Sequence, residues 1–468
     1  MHRFENTIRM FCFLFASFIF VTVLADSDIF DLVHKDYDFV IRISKGGSWY
    51  SEIQKVPFFS FVLNRKGLGF EDSFLRILED MRYKTGVAPS VVQEAISNDV
   101  LFASKGIAID FSNVISFDLN YYFDFIKTIT SNSFIAFQTK LPAQLVKALS
   151  FLLSVKYRVL PNNQYVLGDS LYCGSIGKYL VVAGSKQALE LALKTFLTPD
   201  MQMSKSTKVF DRLKTGTFFI SGYSKPDVIK FTFPGVSQLN MSDSEYIIFY
   251  SSVSAGNMSM TFEQKNRKEI STKKVSESIG NIPLAWNYYL SIPSTNSEEI
   301  VNTLKQWFQG SSVDLSRLLE FVSALSKVSS NVYTVGRIET NDFLFIFDNI
   351  TLKDLENSIS RLGARYDSQK QEWTVLFQTN KLSIYANSNR VYFGTIDRAK
   401  YEQYERTRGK LKDLPLYFDF SKINVYDFKL FLDIGDIIKT TTGFNISSKM
   451  LFWKYNSGYF SYYKILIS

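Results

Sequence analysis

Histidine and cysteine are almost missing from this chain of 468 residues, which holds two of each: His2, His34, Cys12 and Cys173. His2 and Cys12 fall in an N-terminal stretch that reads as an export leader, so the body keeps one imidazole and one thiol. That excludes a disulfide inside the body. A zinc site built on histidine, or a nucleophile activated by histidine, would have to use His34 alone. Cys173 sits in the apolar run Leu171-Tyr172-Cys173 and reads as a small buried side chain.

A long apolar run is also lacking after the leader, so no membrane-spanning helix is expected in the body. Strong charge of one sign is missing too: 53 Lys and Arg stand against 45 Asp and Glu, a formal charge of +8 with both signs interspersed. The densest basic stretches are Lys265, Arg267, Lys268, Lys273, Lys274 and Arg406, Arg408, Lys410, Lys412. Neither carries interleaved aromatics or a binding motif, so they read as solvated turns and helix faces, and no nucleic-acid partner is expected.

What is abundant is apolar and aromatic area. With 46% apolar residues, 43 Phe and 26 Tyr, the chain can bury a large core without disulfide staples. This composition rules out disorder, a collagen-like chain and a polytopic membrane protein.

His2, Arg3 and Arg9 precede the uncharged stretch Met10–Ala25, and Val23-Leu24-Ala25 offers small residues where a signal peptidase reads. We expect residues 1–25 to be a signal peptide cleaved between Ala25 and Asp26. As a helix the stretch would span about 24 Å, short of the roughly 30 Å hydrocarbon core. An uncleaved Met10–Ala25 anchor, the one way the chain would meet a membrane, is the alternative.

Comparison of the chain with itself gives three stretches recurring in the same order. Phe134–Leu153 matches Leu344–Leu362, with Phe137 opposite Phe347 and Leu145 opposite Leu355. Leu171–Phe196 matches Ile384–Tyr404, with Tyr172 opposite Tyr385 and Tyr179 opposite Val391. Finally Arg212–Lys225 matches Lys410–Lys422, at a smaller offset. Each half closes with an expected hairpin, Tyr246–Phe262 turning at Gly256-Asn257 and Leu451–Ile465 turning at Asn456-Ser457-Gly458.

The fold class expected is α+β with two homologous halves, residues 28–265 and 280–468, joined by a charged, Ser-rich linker at 266–279. Each half opens with a strand, Phe39–Ser44 and Trp286–Ile292. The order strand, helix, strands, helix, strand is that of a split β-α-β, ferredoxin-like antiparallel sheet with helices on one face. Phe74, Ile77, Leu78 and Met81 mark a helical stripe in the first half; Leu315, Leu318, Leu319, Val322 and Leu325 mark one in the second. Thr295 and Glu298 form a capping-box pair before Ile300, Leu304 and Trp307.

In the first half the small-residue turn Ala183-Gly184-Ser185-Lys186 follows a strand and leads into an Ala/Leu-rich helix. This layout resembles a family of exported bacterial proteins of unknown function with duplicated α+β halves. The resemblance implies an envelope or periplasmic location and transfers no catalytic residue.

Three motifs look like chemistry. Gly168-Asp169-Ser170-Leu171 spells the nucleophile block of GDSL-type esterases, but that mechanism needs a base and no histidine follows residue 34. Lys45-Gly46-Gly47-Ser48 lacks both phosphate-loop patterns and reads as a glycine turn with Ser48 or Ser51 capping the next helix. Asp427, Asp433 and Asp436 are close enough in sequence to supply an acid–base pair in a carboxylate-based hydrolase, although solvated helix-face charges fit the spacing as well. Among Trp49, Trp286, Trp307, Trp373 and Trp453, the last alternates with Lys454 and Tyr455 in the final hairpin. Trp453 and Tyr455 are the candidate contact surface.

The expectation is an exported, non-enzymatic envelope or periplasmic protein that binds or scaffolds an unknown partner. No catalytic residue, metal ligand or cofactor is assigned. The alternative is a membrane-anchored envelope assembly or transport factor held by the uncleaved leader.

Overall fold

The computed structural model describes residues 28–44, 46–106, 109–110, 131–226, 228–230, 244–270, 279–294, 297–307, 315–340, 342–351, 355–377, 380–387, 389–414, 421 and 426–468. They group into two compact units that part between Arg267 and Lys268. Among the described residues no helix is long and apolar enough to cross a membrane. Met10–Ala25 and the Ala25/Asp26 junction lie outside them.

The first unit opens with β1 (Phe39–Ile43), helices α1 (Gly46–Ile53), α2 (Pro57–Leu63), α3 (Phe70–Thr85) and α4 (Pro89–Ile96), and β2 (Val100–Ser104). Next come β3 (Ile109–Asp110), β4 (Ser133–Gln138) and α5 (Pro142–Leu152). A meander follows through β5 (Tyr157–Leu160), β6 (Gln164–Leu167), β7 (Leu171–Ile176) and β8 (Tyr179–Ala183). The unit ends with α6 (Lys186–Leu197), α7 (Val209–Thr215), β9 (Ile220–Ser224), β10 (Ile229–Lys230), β11 (Ser244–Ser254) and β12 (Asn257–Ile270). Strand neighbours run β12-β11-β9-β1-β2-β4-β8-β7-β6-β5, antiparallel at every step. β3 and β10 form a separate parallel pair.

Local chemistry explains these elements. In α3, Phe74, Leu78 and Met81 bury one stripe, Glu71 and Asp72 sit in the first turn, and Gly86 ends the helix at φ 71°. The Ser185 hydroxyl caps α6 by accepting the Ala188 N–H at 3.1 Å. Ala255 and Gly256 both take positive φ between Ser254 and Asn257, the two-residue turn that matches strand twist. The first hairpin therefore turns one residue earlier than expected.

The second unit runs β13 (Tyr288–Pro293), α8 (Ser297–Trp307), α9 (Ser316–Val328), β14 (Asn331–Arg337), β15 (Asp342–Asp348) and α10 (Glu356–Arg361). It continues through β16 (Arg365–Asp367), β17 (Glu372–Phe377), β18 (Asn380–Asn387), β19 (Arg390–Gly394), α11 (Arg398–Thr407), β20 (Phe428–Leu432), α12 (Ile434–Thr442) and β21 (Met450–Ile467). Its neighbours follow β21-β20-β13-β14-β15-β19-β18-β17-β16, again antiparallel throughout.

Several expectations need correction. The split β-α-β order fails because β1 pairs directly with β2, and β13 with β14, although helices separate them in sequence. The chain returns to the adjacent slot antiparallel and leaves no gap for an inserted strand. Helices cover both sheet faces rather than one. In the first unit Val40, Leu101, Phe134, Val181 and Leu189 form one core, while Val100, Phe137, Leu180 and residues of α3, α4 and α5 form another. Adjacent strand residues are thus buried on opposite sides, which is why the burial of β2, β4 and β8 does not alternate. In the second unit Leu344, Ile346 and Tyr392 share a core with Tyr401 of α11, whereas Phe393 meets Phe321 of α9 at 5.4 Å.

The start of the expected linker, through Ile270, is strand β12. β21 is one 18-residue strand rather than a hairpin. The Asn456 amide is spent on Asp427 and its side-chain carbonyl on the Ser461 hydroxyl, and the turn-like Asn456-Ser457-Gly458 continues the strand without reversing it. In the third repeated stretch β9 matches by position with β20, not with 416–419, which lie outside the described residues. In the second stretch Ala183 faces Phe134 and Tyr172, whereas Gly394 faces Leu344 and Ser383. Tyr385 therefore occupies the place of Gly174, and Tyr392 that of Val181. Thr295 and the Trp307 side chain lie outside the described set, while Ile300 and Leu304 are buried.

Candidate functional site

The residues that looked reactive do not assemble. Ser170 lies exposed in the turn between β6 and β7, where Gly168 takes φ 62°. His34 precedes β1, bridges Gln202, and accepts the Asp36 N–H through Nδ1 at 3.2 Å. β7 lies four neighbours from β1 in the sheet, and among the described residues no hydrogen bond joins Ser170 to His34. Cys173 on β7 is buried, and burial pushes its thiol up to about 12, so it stays protonated and unreactive. Gly46 and Gly47 begin α1, which places Ser48 and Ser51 inside the helix instead of at its cap. Lys45 lies outside the described residues.

The three aspartates serve three different contacts. Asp427 accepts from Lys454 at 2.8 Å and from the Asn456 amide at 2.9 Å. Asp433 caps α12 by accepting the Asp436 N–H at 3.0 Å and pairs with Lys449 at 2.6 Å. Asp436 accepts from Arg337 at 2.9 Å. Arg337 also reaches Glu339 at 3.2 Å, and the buried Asn287 amide donates to both Glu339 oxygens at 2.8 and 2.7 Å. Two carboxylates thus share one guanidinium, tying the start of β13, the β14–β15 turn and α12 together. Asp433 followed three residues later by Asp436 is a legible helix start. Asn287, Arg337 and Glu339 had no sequence signal, because only the fold brings them to Asp436.

A second group was missed altogether. Tyr385 and Tyr392 oppose each other across β18 and β19, rings parallel within 7° and 4.8 Å apart, and Tyr401 from α11 closes on Tyr392 at 4.7 Å. Trp286 stacks on Tyr401 at 6.1 Å and meets Tyr404 edge-on at 5.4 Å. Burial raises the Tyr385 and Tyr401 phenols well above their ordinary range, so neither serves as a base near neutrality. Nearby Glu372, 1% exposed, accepts the Arg398 N–H through one oxygen at 3.2 Å. Among the described residues the Tyr385 hydroxyl and the other Glu372 oxygen have no hydrogen-bond partner. Lys381 Nζ stands 3.7 Å from that oxygen.

Of the tryptophans, Trp49 is half-buried against Phe219, Trp286 is core, and Trp373 lies under Tyr366 at 4.5 Å. On β21, Trp453 is half-buried and packs on the core of the second unit. Tyr455 is half-buried, stacks on Tyr462 at 4.9 Å, and has Lys464 Nζ 5.4 Å from its ring centre. The two candidate contact residues are therefore unequal: Trp453 contributes to the core, and Tyr455 belongs to an aromatic and lysine strip farther along the strand. Arg406 pairs with Glu402 at 3.4 Å on α11, as expected of a helix-face charge.

No family model matches the chain, and no curated protein matches it. Solved structures with partial similarity include three crystal forms of TP0453. Form I has 12% identity and a TM-score of 0.28, covering 41% of this chain and 79% of that chain. Forms III and IV, at 12% and 11% identity, each have a TM-score of 0.27 and cover 40% of this chain, with 78% and 76% of that chain covered.

Proposed function

We propose that the chain is an exported, non-catalytic envelope protein of duplicated α+β build that binds or scaffolds a partner. The observation that carries this reading is the shared neighbour order of the two sheets, with β9, β1, β2, β4, β8 and β7 in one unit and β20, β13, β14, β15, β19 and β18 in the other. Duplication of a unit whose polar groups serve its own framework suits a scaffold. In this reading the antiparallel return replaces the ferredoxin-like order. Support also comes from the sequence candidates for chemistry, which are divided among capping, ion pairing and core packing. Tyr455 on β21 is the assigned contact residue, with Trp453 holding the strand behind it.

The test combines the native N-terminus with a photo-crosslinking amino acid at position 455. A chain that starts at Asp26 in the soluble envelope fraction and gives a discrete adduct is the expected result. An intact leader in the membrane fraction would replace export with the anchored alternative. A correctly exported chain that gives no adduct would remove Tyr455 as the contact.

A further inference from the structure

Among the described residues the meander of the first unit ends in a strand with one open side. Among the described residues β5 pairs only with β6, and Tyr157 and Val159 are 38% and 66% exposed. The hydrogen-bond phase fixes which groups face outward. Gly168 N donates to Lys156 O at 2.7 Å, so 156 and 168 form a hydrogen-bonded pair. Such pairs alternate along an antiparallel ladder, which makes 158 with 166 and 160 with 164 the next ones. The N–H and C=O groups of Tyr157 and Val159 consequently point away from β6, toward the open edge.

The side chains along this edge sort by face. Tyr157 and Val159 project on one side, where Tyr157 meets Tyr165 at 6.5 Å. Lys156 and Arg158, both exposed, project on the other. From Lys140 to Gly168 the chain contains Lys140, Lys147, Lys156 and Arg158 and no carboxylate. Among the described residues none of these four cations pairs with a carboxylate.

We infer that the β5 edge binds an extended peptide segment that alternates acidic and apolar side chains, by adding it as a further strand of the sheet. Main-chain bonds to Tyr157 and Val159 supply the pairing, an apolar stripe of the incoming strand lies beside the Tyr157 and Val159 side chains, and its carboxylates lie beside Lys156 and Arg158. A second copy of this chain is disfavoured as the occupant, because antiparallel self-pairing about Arg158 sets like charges opposite each other. The corresponding edge of the second unit differs: β16 has three residues, Tyr366 is drawn onto Trp373, and Asp367 accepts the Gln369 and Lys370 N–H groups. The inference depends neither on export nor on Tyr455, so it stands or falls separately from the proposed function.

The probe is a blocked decapeptide alternating glutamate and valine, with a lysine–valine decapeptide as its counterpart, added to the full chain. Fluorescence anisotropy should show saturable binding of the glutamate peptide at least tenfold tighter than of the lysine peptide. Hydrogen exchange at the Tyr157 and Val159 amides should slow by tenfold or more when it binds. Val159→Pro removes an outward donor while leaving the β6 pairing intact, and should abolish binding without changing the unfolding midpoint. Should that variant misfold, Arg158→Glu leaves the backbone untouched and should invert the peptide preference. Binding that survives both substitutions, no peptide-dependent protection, or protection that rises with protein concentration alone would each overturn the assignment.

Discussion

The two units lay a helix over the same pair of strands by opposite means. In the first, Gly174 on β7 faces α6, and a Cβ there would sit 3.2 Å from a Leu189 methyl; Val181 is its neighbour on β8. In the second, the corresponding places hold Tyr385 and Tyr392, and Tyr401 on α11 stands where Leu189 stands on α6. One helix is seated close by deleting a side chain. The other rests on three stacked rings. A shared strand order therefore does not impose a shared core, since volume removed from the sheet can be restored from the helix, or the reverse.

The comparison is broken most severely at Tyr401. Tyr401→Ala should cost the second unit about 3–5 kcal/mol, because the ring is fully buried among aromatic partners. Urea unfolding followed by hydrogen exchange should show protection lost in β18, β19 and α11 and kept in β7 and β8. Equal loss in both units would mean that the ring trio is not a local keystone.

Gly394 provides the next test, since the first unit carries Ala183 at that place. A Cβ on Gly394 would come within 2.2 Å of the Phe343 carbonyl oxygen, so β15 and β19 would have to part. Gly394→Ala should destabilise by about 1–3 kcal/mol. A neutral result in thermal unfolding would show that this strand pair yields more readily than its register suggests.

Alkali should act on both units more gently, though the stacked phenols of the second make it the more exposed to this effect. Burial raises the Tyr288, Tyr289, Tyr385 and Tyr401 phenols above the ordinary value of 10.0, so below it both folded and unfolded chains keep them neutral and the packing contribution is complete. Above it the unfolded chain ionises while the folded chain does not, and stability falls by about 1.4 kcal/mol per pH unit for each such phenol. Phenolate absorbance should rise in two stages, the later one coinciding with unfolding, to which the buried Tyr37 and the half-buried Tyr50 of the first unit contribute as well. A single stage near the ordinary value would contradict the burial.

The smallest effect belongs to Tyr385→Phe. Its hydroxyl has no hydrogen-bond partner among the described residues, so removing it should leave stability unchanged or raise it by up to about 1 kcal/mol. A loss larger than that, measured by urea unfolding, would reveal a partner for the oxygen.

Much of the first unit was legible where local chemistry decides the outcome. The α3 stripe, the small-residue turn at Ser185 that leads into α6 and, within one residue, the first hairpin follow from residues within a few positions of one another. Two-sided burial was not legible, because runs such as Val100–Ser104 read equally well with one face open until the helices on each side are known. The third repeat match slid because Lys-Leu-Lys resembles Arg-Leu-Lys locally, whereas pairing with β1 and β13 assigns β20 to the place of β9. Turn chemistry at Asn456 misled for a similar reason: Asp427 and Ser461 claim its side chain. At Asp436 the limit was distance along the chain, since its guanidinium partner comes from Arg337 on β14.

Cys173 gives the first unit a built-in clock. Among the described residues it is the one free thiol, it is buried on β7, and the second unit has none. In a Cys12→Ser variant, a thiol reagent can mark the chain only when the first unit opens. The labelling rate then times that unit's breathing in a mixture with any partner or variant, while every event confined to the second unit stays invisible.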